Sequence, residues 1–413
     1  MKKAFIITAA ALTAAALLGS CSLTGLFDNN SHSDIELSDL PGSEELTVKY
    51  NGYGFAALTS LAEKRLYAGF DSVVGGLQSE EFVTESLDNP DRISDVLEFY
   101  KDDHPDVFWI DETEPYYYSD SNGVLTVRLH FKLQGDKLAE AKGRLEATLQ
   151  SAAADAPKDA TPYERELYAH DYLISVCDYD EEAVELHKDD AVRANEQNAY
   201  GALVEGRAVC EGYTRAFQLL CSRLEVPCWV IQGQAEGFDG EGNTNHIWNC
   251  VMLDGEWYQV DVTWDDYDST ETIGDEQYFY FNLTTEQMTK DHVIAPSYSE
   301  YTTSDVWYNG FVPECSSTTY YYFNRNGRVI TDLEEYALSA YVTEAAANNR
   351  DHCVFVVDES RDFEDTYESI VQEYAYRWIT QANEINGYPT LSSDCKLSPY
   401  EDRRLITLLL AYN

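Results

Sequence analysis

The stretch Asn245-His246-Ile247-Trp248-Asn249-Cys250-Val251-Met252-Leu253-Asp254-Gly255-Glu256-Trp257-Tyr258-Gln259-Val260-Asp261-Val262-Thr263-Trp264 reads as a β-hairpin. His246 to Leu253 alternates, Asp254-Gly255 supplies a two-residue turn, and Glu256 to Trp264 alternates again. Counting back from a Leu253–Glu256 pair sets Trp248 opposite Asp261 and His246 opposite Thr263. Opposite residues share a face, as do residues two apart on one strand. His246, Trp248, Cys250, Gln259, Asp261 and Thr263 therefore line one side of the hairpin. Asp261 lies diagonal to His246, about 7–8 Å away at the backbone, within reach of a carboxylate–imidazole contact. A slip of one residue would put the two on opposite faces.

A nucleophile suited to that pair lies upstream. Ala208-Val209-Cys210-Glu211-Gly212-Tyr213 leads into a helical pattern of Val209, Tyr213, Phe217, Leu220 and Leu224. Cys210 thus opens a helix, where unpaired N–H groups and the positive dipole end favour a thiolate. An imidazole nearby would take the thiol proton, and a carboxylate would hold that imidazole in the right tautomer. The expected site is Cys210 as nucleophile, His246 as general base and acid, and Asp261 as orienter. The backbone N–H of Cys210 would help bind the oxyanion formed on the attacked carbonyl.

Three segments then carry a family resemblance: Ala199 to Tyr213, Asn245 to Asn249, and Trp257 to Trp264. They resemble the bacterial transglutaminase-like domain family, and His170-Asp171-Tyr172-Leu173 is similar to its helix before the nucleophile. The resemblance runs from about Tyr163 to His292. It implies an α+β, papain-like core, a nucleophile helix packed on an antiparallel sheet. It also implies that Tyr200 assists the oxyanion, and that no cofactor is required. Ile247 stands where the family often has Ala. The family includes peptidases, transglutaminases, amidases and inactive members. The expectation is a peptidase or amidase acting through a thioester; a crosslinking enzyme and a non-catalytic adhesion or assembly module are the alternatives. Protein or peptide substrates are expected, with cell-wall peptide crosslinks among the candidates.

The rest of the chain frames this core. Met1-Lys2-Lys3, an apolar run from Ala4 to Leu18, and Leu18-Gly19-Ser20-Cys21 form a secretion signal resembling a bacterial lipobox, with Cys21 as the lipidated residue. Residues 1–20 are read as signal peptide and 21–45 as an acidic, flexible tether, so the protein is expected to sit membrane-anchored outside the cytoplasm. An N-terminal α+β region covers 46–159, with helices near Phe55 to Val74, Arg92 to Lys101 and Lys137 to Ala153. It also holds a hairpin turning at Asn122-Gly123. The catalytic domain covers 160–300, opened by a helix start at Thr161-Pro162-Tyr163-Glu164. A small α+β domain of unassigned role covers 301–413, read as β-β-α-β-α-β with a first hairpin, Thr318 to Phe323 and Arg328 to Thr331, turning at Asn326-Gly327.

Composition removes other classes. The 413 residues carry 28 Lys plus Arg against 74 Asp plus Glu, a net charge of −46. Such a field repels phosphate backbones, which excludes general nucleic-acid binding. The 13% aromatic content is too high for a disordered acidic chain. Beyond Cys21, eight cysteines remain without any C-x-x-C spacing, so zinc is not expected and disulfide pairing stays open. The acidic loop from Asp265 to Glu276 lacks the spacing of a calcium loop and reads as a solvated rim.

Overall fold

The computed structural model describes residues 42, 45, 46, 49, 52–76, 80–185, 195–236, 243–266, 276–299, 308–387 and 390–413. The signal, nearly all of the tether, and residues 267–275 of the acidic loop lie outside them.

The protein is α+β. Its N-terminal region holds helices α1 (Leu61–Gly76), α2 (Arg92–Asp103) and α3 (Gly135–Asp155) around a sheet of β1 (Glu81–Glu85), β2 (Tyr116–Ser121) and β3 (Val124–Leu129), in the order β1-β3-β2. Asn122 and Gly123 both have positive φ, 56° and 81°, the geometry that a two-residue hairpin turn requires. The long helix expected from Phe55 is broken after Ala57. Ser60 and Glu63 explain the break. Glu63 Oε2 accepts from the Thr59 and Ser60 N–H groups at 2.8 Å, and Ser60 Oγ accepts from the Glu63 N–H at 3.2 Å, a reciprocal cap that starts α1 afresh.

The central part begins with α4 (Pro162–Val176), whose Thr161 and Glu164 form the expected capping box. Helix α5 (Cys210–Arg223) follows, burying Tyr213, Ala216, Phe217, Leu220 and Cys221 on its apolar stripe. It packs on a four-stranded antiparallel sheet of β4 (Cys228–Glu236), β5 (Asn243–Leu253), β6 (Glu256–Val260) and β7 (His292–Ile294), ordered β6-β5-β4-β7. The hairpin register is as expected from Leu253↔Glu256 back to Asn249↔Val260. Beyond that point the strands part. Asp261 leaves the sheet and caps a helical turn, α6 (Val262–Asp265), so the expected Trp248–Asp261 and His246–Thr263 pairs do not form. The cause is local: Asp261 Oδ1 accepts the Thr263 and Trp264 N–H groups at 3.0 and 3.2 Å, while its own N–H donates to Tyr280 O.

Two glycines permit close approach here. A Cβ on Gly212 would lie 2.5 Å from Glu196 O and 2.6 Å from Ala208 Cβ, so the first turn of α5 seats against its preceding loop only with glycine. At Gly233, which pairs with His246, a Cβ would meet Val293 O at 2.1 Å and the Trp248 ring at 2.8 Å.

The C-terminal region departs from expectation at its first hairpin. Residues Tyr322–Asn326 are a helical turn, and Gly327 donates its N–H back to Phe323 O. The strand that follows, β8 (Arg328–Ile330), pairs in parallel with β9 (His352–Val357). An unforeseen strand, β10 (Lys396–Tyr400), pairs with β11 (Leu405–Leu409), giving the order β8-β9-β11-β10. Pro399 obscured it, and Pro is tolerated there because β10 is an edge. Helices α7 (Tyr336–Ala347) and α8 (Ala375–Asn386) cover this sheet. One continuous apolar core joins the N-terminal and central regions and takes in Phe323, Val354 and Leu405 from the C-terminal one. A second core lies inside the C-terminal region around Ile330, Val342, Phe355 and Ile406.

Candidate active site

Cys210 is the first residue of α5 and is partly exposed. His246 lies on β5 and is buried, and Asp261 is 1% exposed at the cap of α6. The three side chains meet. His246 Nε2 lies 2.6 Å from Asp261 Oδ2, and the Cys210 thiol lies beside the same imidazole, near enough to raise its pKa. With Nε2 spent on Asp261, Nδ1 is the nitrogen left for the thiol. Side-chain bonds set the spacing of helix and strand: Thr214 Oγ1 donates to Ile247 O at 2.9 Å, and Asn249 Nδ2 donates to Thr214 O at 3.2 Å.

Electrostatics favour a charged pair. Burial opposes charge on His246, yet the Asp261 carboxylate and the Cys210 thiol outweigh it and raise the ring to about 10. Burial likewise opposes charge on Asp261, but His246 and then His292 hold its carboxyl well below the usual carboxylate range. Trp248 keeps the histidine in place. Its ring is stacked 5.9 Å from that of His246, and its Nε1 donates to Gln259 Oε1 at 2.8 Å, which confirms the shared hairpin face.

Residues 150–262 match the sequence model of the transglutaminase-like superfamily. That stretch is a transglutaminase-like domain. The chain is also 36% identical over 61 residues to kyphoscoliosis peptidase of Homo sapiens and to that of Mus musculus. Each alignment covers 13% of this chain and 9% of the relative, so the chain spans under a tenth of the length of those proteins. A solved structure of a TGase is similar at 15% identity with a TM-score of 0.28, over 38% of this chain and 46% of that one.

Within the transglutaminase-like domain, Tyr200, expected to assist the oxyanion, has its hydroxyl engaged by Arg144. Its ring stacks on Phe108 at 4.7 Å and its hydroxyl accepts from Arg144 Nη1 at 2.8 Å, contacts that lead toward α3. The Cys210 backbone N–H lies in the first turn of α5, where N–H groups have no acceptor within the helix. Glu211, next to the thiol, has its charge engaged by Arg215 at 3.0 Å and Lys101 at 3.3 Å.

Two features were missed from sequence. His292 places Nε2 3.0 Å from Asp261 Oδ2, the oxygen that also meets His246. Asp265, read as part of a solvated rim, is instead buried, with Oδ2 3.1 Å from His170 Nε2. His246, Asp261 and His292 present three possible metal-ligand atoms within 4.8 Å of one another. However, the 2.6 Å and 3.0 Å nitrogen–oxygen contacts are hydrogen-bond distances. Two ligands of one tetrahedral zinc, bonded at about 2.0–2.2 Å, would stand roughly 3.3 Å apart. The donor set fits a hydrogen-bonded relay better than an ion.

Proposed function

We propose that this chain is a cysteine-nucleophile enzyme that cleaves amide bonds in protein or peptide substrates through a thioester acyl-enzyme. The observation that carries the reading is the His246 ring held by Asp261 Oδ2 with the Cys210 thiol beside it. Cys210 Sγ attacks the amide carbonyl carbon, and the carbonyl electrons move to oxygen beside the Cys210 N–H. His246 gives its proton to the leaving nitrogen, the C–N bond breaks, and a thioester remains. Water then attacks with His246 as base, releasing the acid and restoring the thiolate–imidazolium pair. Asp261 holds the ring in one tautomer throughout. An amine in place of water would make a crosslink; water is favoured because it outnumbers any amine outside the cell.

Acid-quenched mixtures of enzyme and candidate peptides test this. The tryptic peptide Ala208 to Arg215 carries Cys210, and an acyl mass on it, removable by hydroxylamine and absent from Cys210→Ala, is expected. Amide cleavage by Cys210→Ala at the wild-type rate would refute Cys210 as the nucleophile.

The same proposal includes a lipid anchor at Cys21, supported by the signal-like segment before it. The lipidated mature protein should partition into detergent, and Cys21→Ala should lose that partitioning. Equal partitioning of both would remove the anchor from the account.

A further inference from the structure

The relay behind Asp261 extends beyond the transglutaminase-like domain. His292 Nδ1 lies 2.6 Å from Asp291 Oδ1. Asp291 Oδ2 accepts from Arg403 Nη2 at 2.9 Å and from the Tyr280 hydroxyl at 2.8 Å. Arg403 belongs to the short turn between β10 and β11, and its guanidinium lies 4.2 Å over the Tyr280 ring. That turn is fixed within its own region, where Arg404 donates to the carbonyls of Val357, Asp358 and Arg361 at 2.7–3.0 Å. The Arg403 and His292 side chains are buried at either end, and Asp291 between them is 24% exposed.

We propose that the C-terminal region completes the active site, with Arg403, Asp291 and His292 forming a hydrogen-bonded relay that holds Asp261 on His246. The inference rests on the proposed function. Asp261 accepts four N–H groups: Thr263 and Trp264 on Oδ1, His246 and His292 on Oδ2. A carboxylate offers about four lone-pair sites, so this one is saturated. It can neither rotate nor readily take a proton from His246, and the imidazolium proton is directed to the cysteine side. His292 aims at Asp261 because its other nitrogen is anchored on Asp291, and Arg403 with Tyr280 fixes Asp291. The titratable groups facing Asp261 are His246, His292 and Asp265, with Asp291 and Arg403 one step behind. His292 and Arg403 are positioning residues that act through Asp261.

The test is alkylation of Cys210 by iodoacetamide in the full chain, read on the Ala208 to Arg215 peptide from acid to neutral pH. His292→Leu is expected to slow the acid-side rate about tenfold, the scale of one lost hydrogen bond to a charged group. His292→Gln still offers an N–H and should recover most of the rate. Arg403→Met should shift the profile in the same direction as His292→Leu, and Arg403→Lys should partly restore it. Folded His292→Leu and Arg403→Met variants with unchanged pH–rate profiles, whatever their melting temperatures, would reduce the relay to a staple between regions and overturn the proposal. A wild-type thiol no faster than glutathione would instead sink the proposed function itself.

Discussion

Asp261→Asn is expected to lower turnover by about four orders of magnitude while leaving the fold intact, a scale taken from the equivalent change in a serine-protease triad. Asn keeps an oxygen for the Thr263 and Trp264 N–H groups, so the cap of α6 survives. Its amide N–H₂ then faces the Nε2 atoms that now meet Oδ2. His246 must turn its lone pair to that amide and carry its hydrogen on Nδ1, toward Cys210. In that tautomer it cannot take the thiol proton. The readouts are turnover on a peptide that acylates the wild type, and a melting curve. Wild-type turnover in a folded Asp261→Asn protein would contradict the assignment of Asp261 as orienter.

The second large effect is on stability. His170 is fully buried, with Nδ1 3.1 Å from Asp171 Oδ1 and Nε2 3.1 Å from Asp265 Oδ2. The pair ties α4 to α6 directly beneath the site, and Asp265 Oδ1 also accepts the Tyr280 N–H at 2.8 Å. Replacing His170 with Leu leaves a buried carboxylate without its partner, a loss of about 3–5 kcal/mol in denaturant unfolding. The pH dependence has a definite sign. Burial opposes charge on His170, but the two aspartates outweigh it and raise the ring to about 9. An unfolded histidine titrates near 6.5. The contribution of His170 is therefore complete below about 6.5, declines as pH rises, and is gone above about 9. Asp265, raised by burial to about 7, adds a loss of the same sign at lower pH. His246, raised to about 10, adds a loss in the same direction. His170→Leu should have a shallower stability profile across that range than the wild type. A cost below about 1 kcal/mol would place the pair among weak contacts.

The site was legible where its determinants are local. Asp254-Gly255 fixes a turn by its own backbone preferences, with φ of 51° and 87°, and the turn fixes which hairpin residues share a face. That brought His246 and Asp261 together even though the ladder ends before Asp261. Its capping role is masked in the sequence, because the alternation through Trp264 reads as continued strand. His292 was not legible. It lies 31 residues beyond Asp261 on a three-residue edge strand, and it reaches the site only through the order of strands across the sheet. Arg403 is hidden for the same reason, being brought in by the packing of one region on another. Asp265 misled because acidic loops are usually solvated, whereas this residue sits at the buried end of one, opposite a histidine 95 positions earlier.

The C-terminal sheet shows the same division. The apolar runs of β9 and β11 announce buried strands. Lys396, Ser398 and Pro399 disguise β10, because an edge strand needs little apolar patterning.

The central claim, that His246 and Asp261 activate Cys210, is tested most directly by the rate of Cys210 alkylation with iodoacetamide at mildly acidic pH, compared with glutathione. Free thiols are almost wholly protonated there and react slowly. An ion-paired Cys210 should react faster than glutathione by roughly a hundredfold, and lose that advantage in Asp261→Asn. A Cys210 that reacts no faster than glutathione across the acid range would contradict the account.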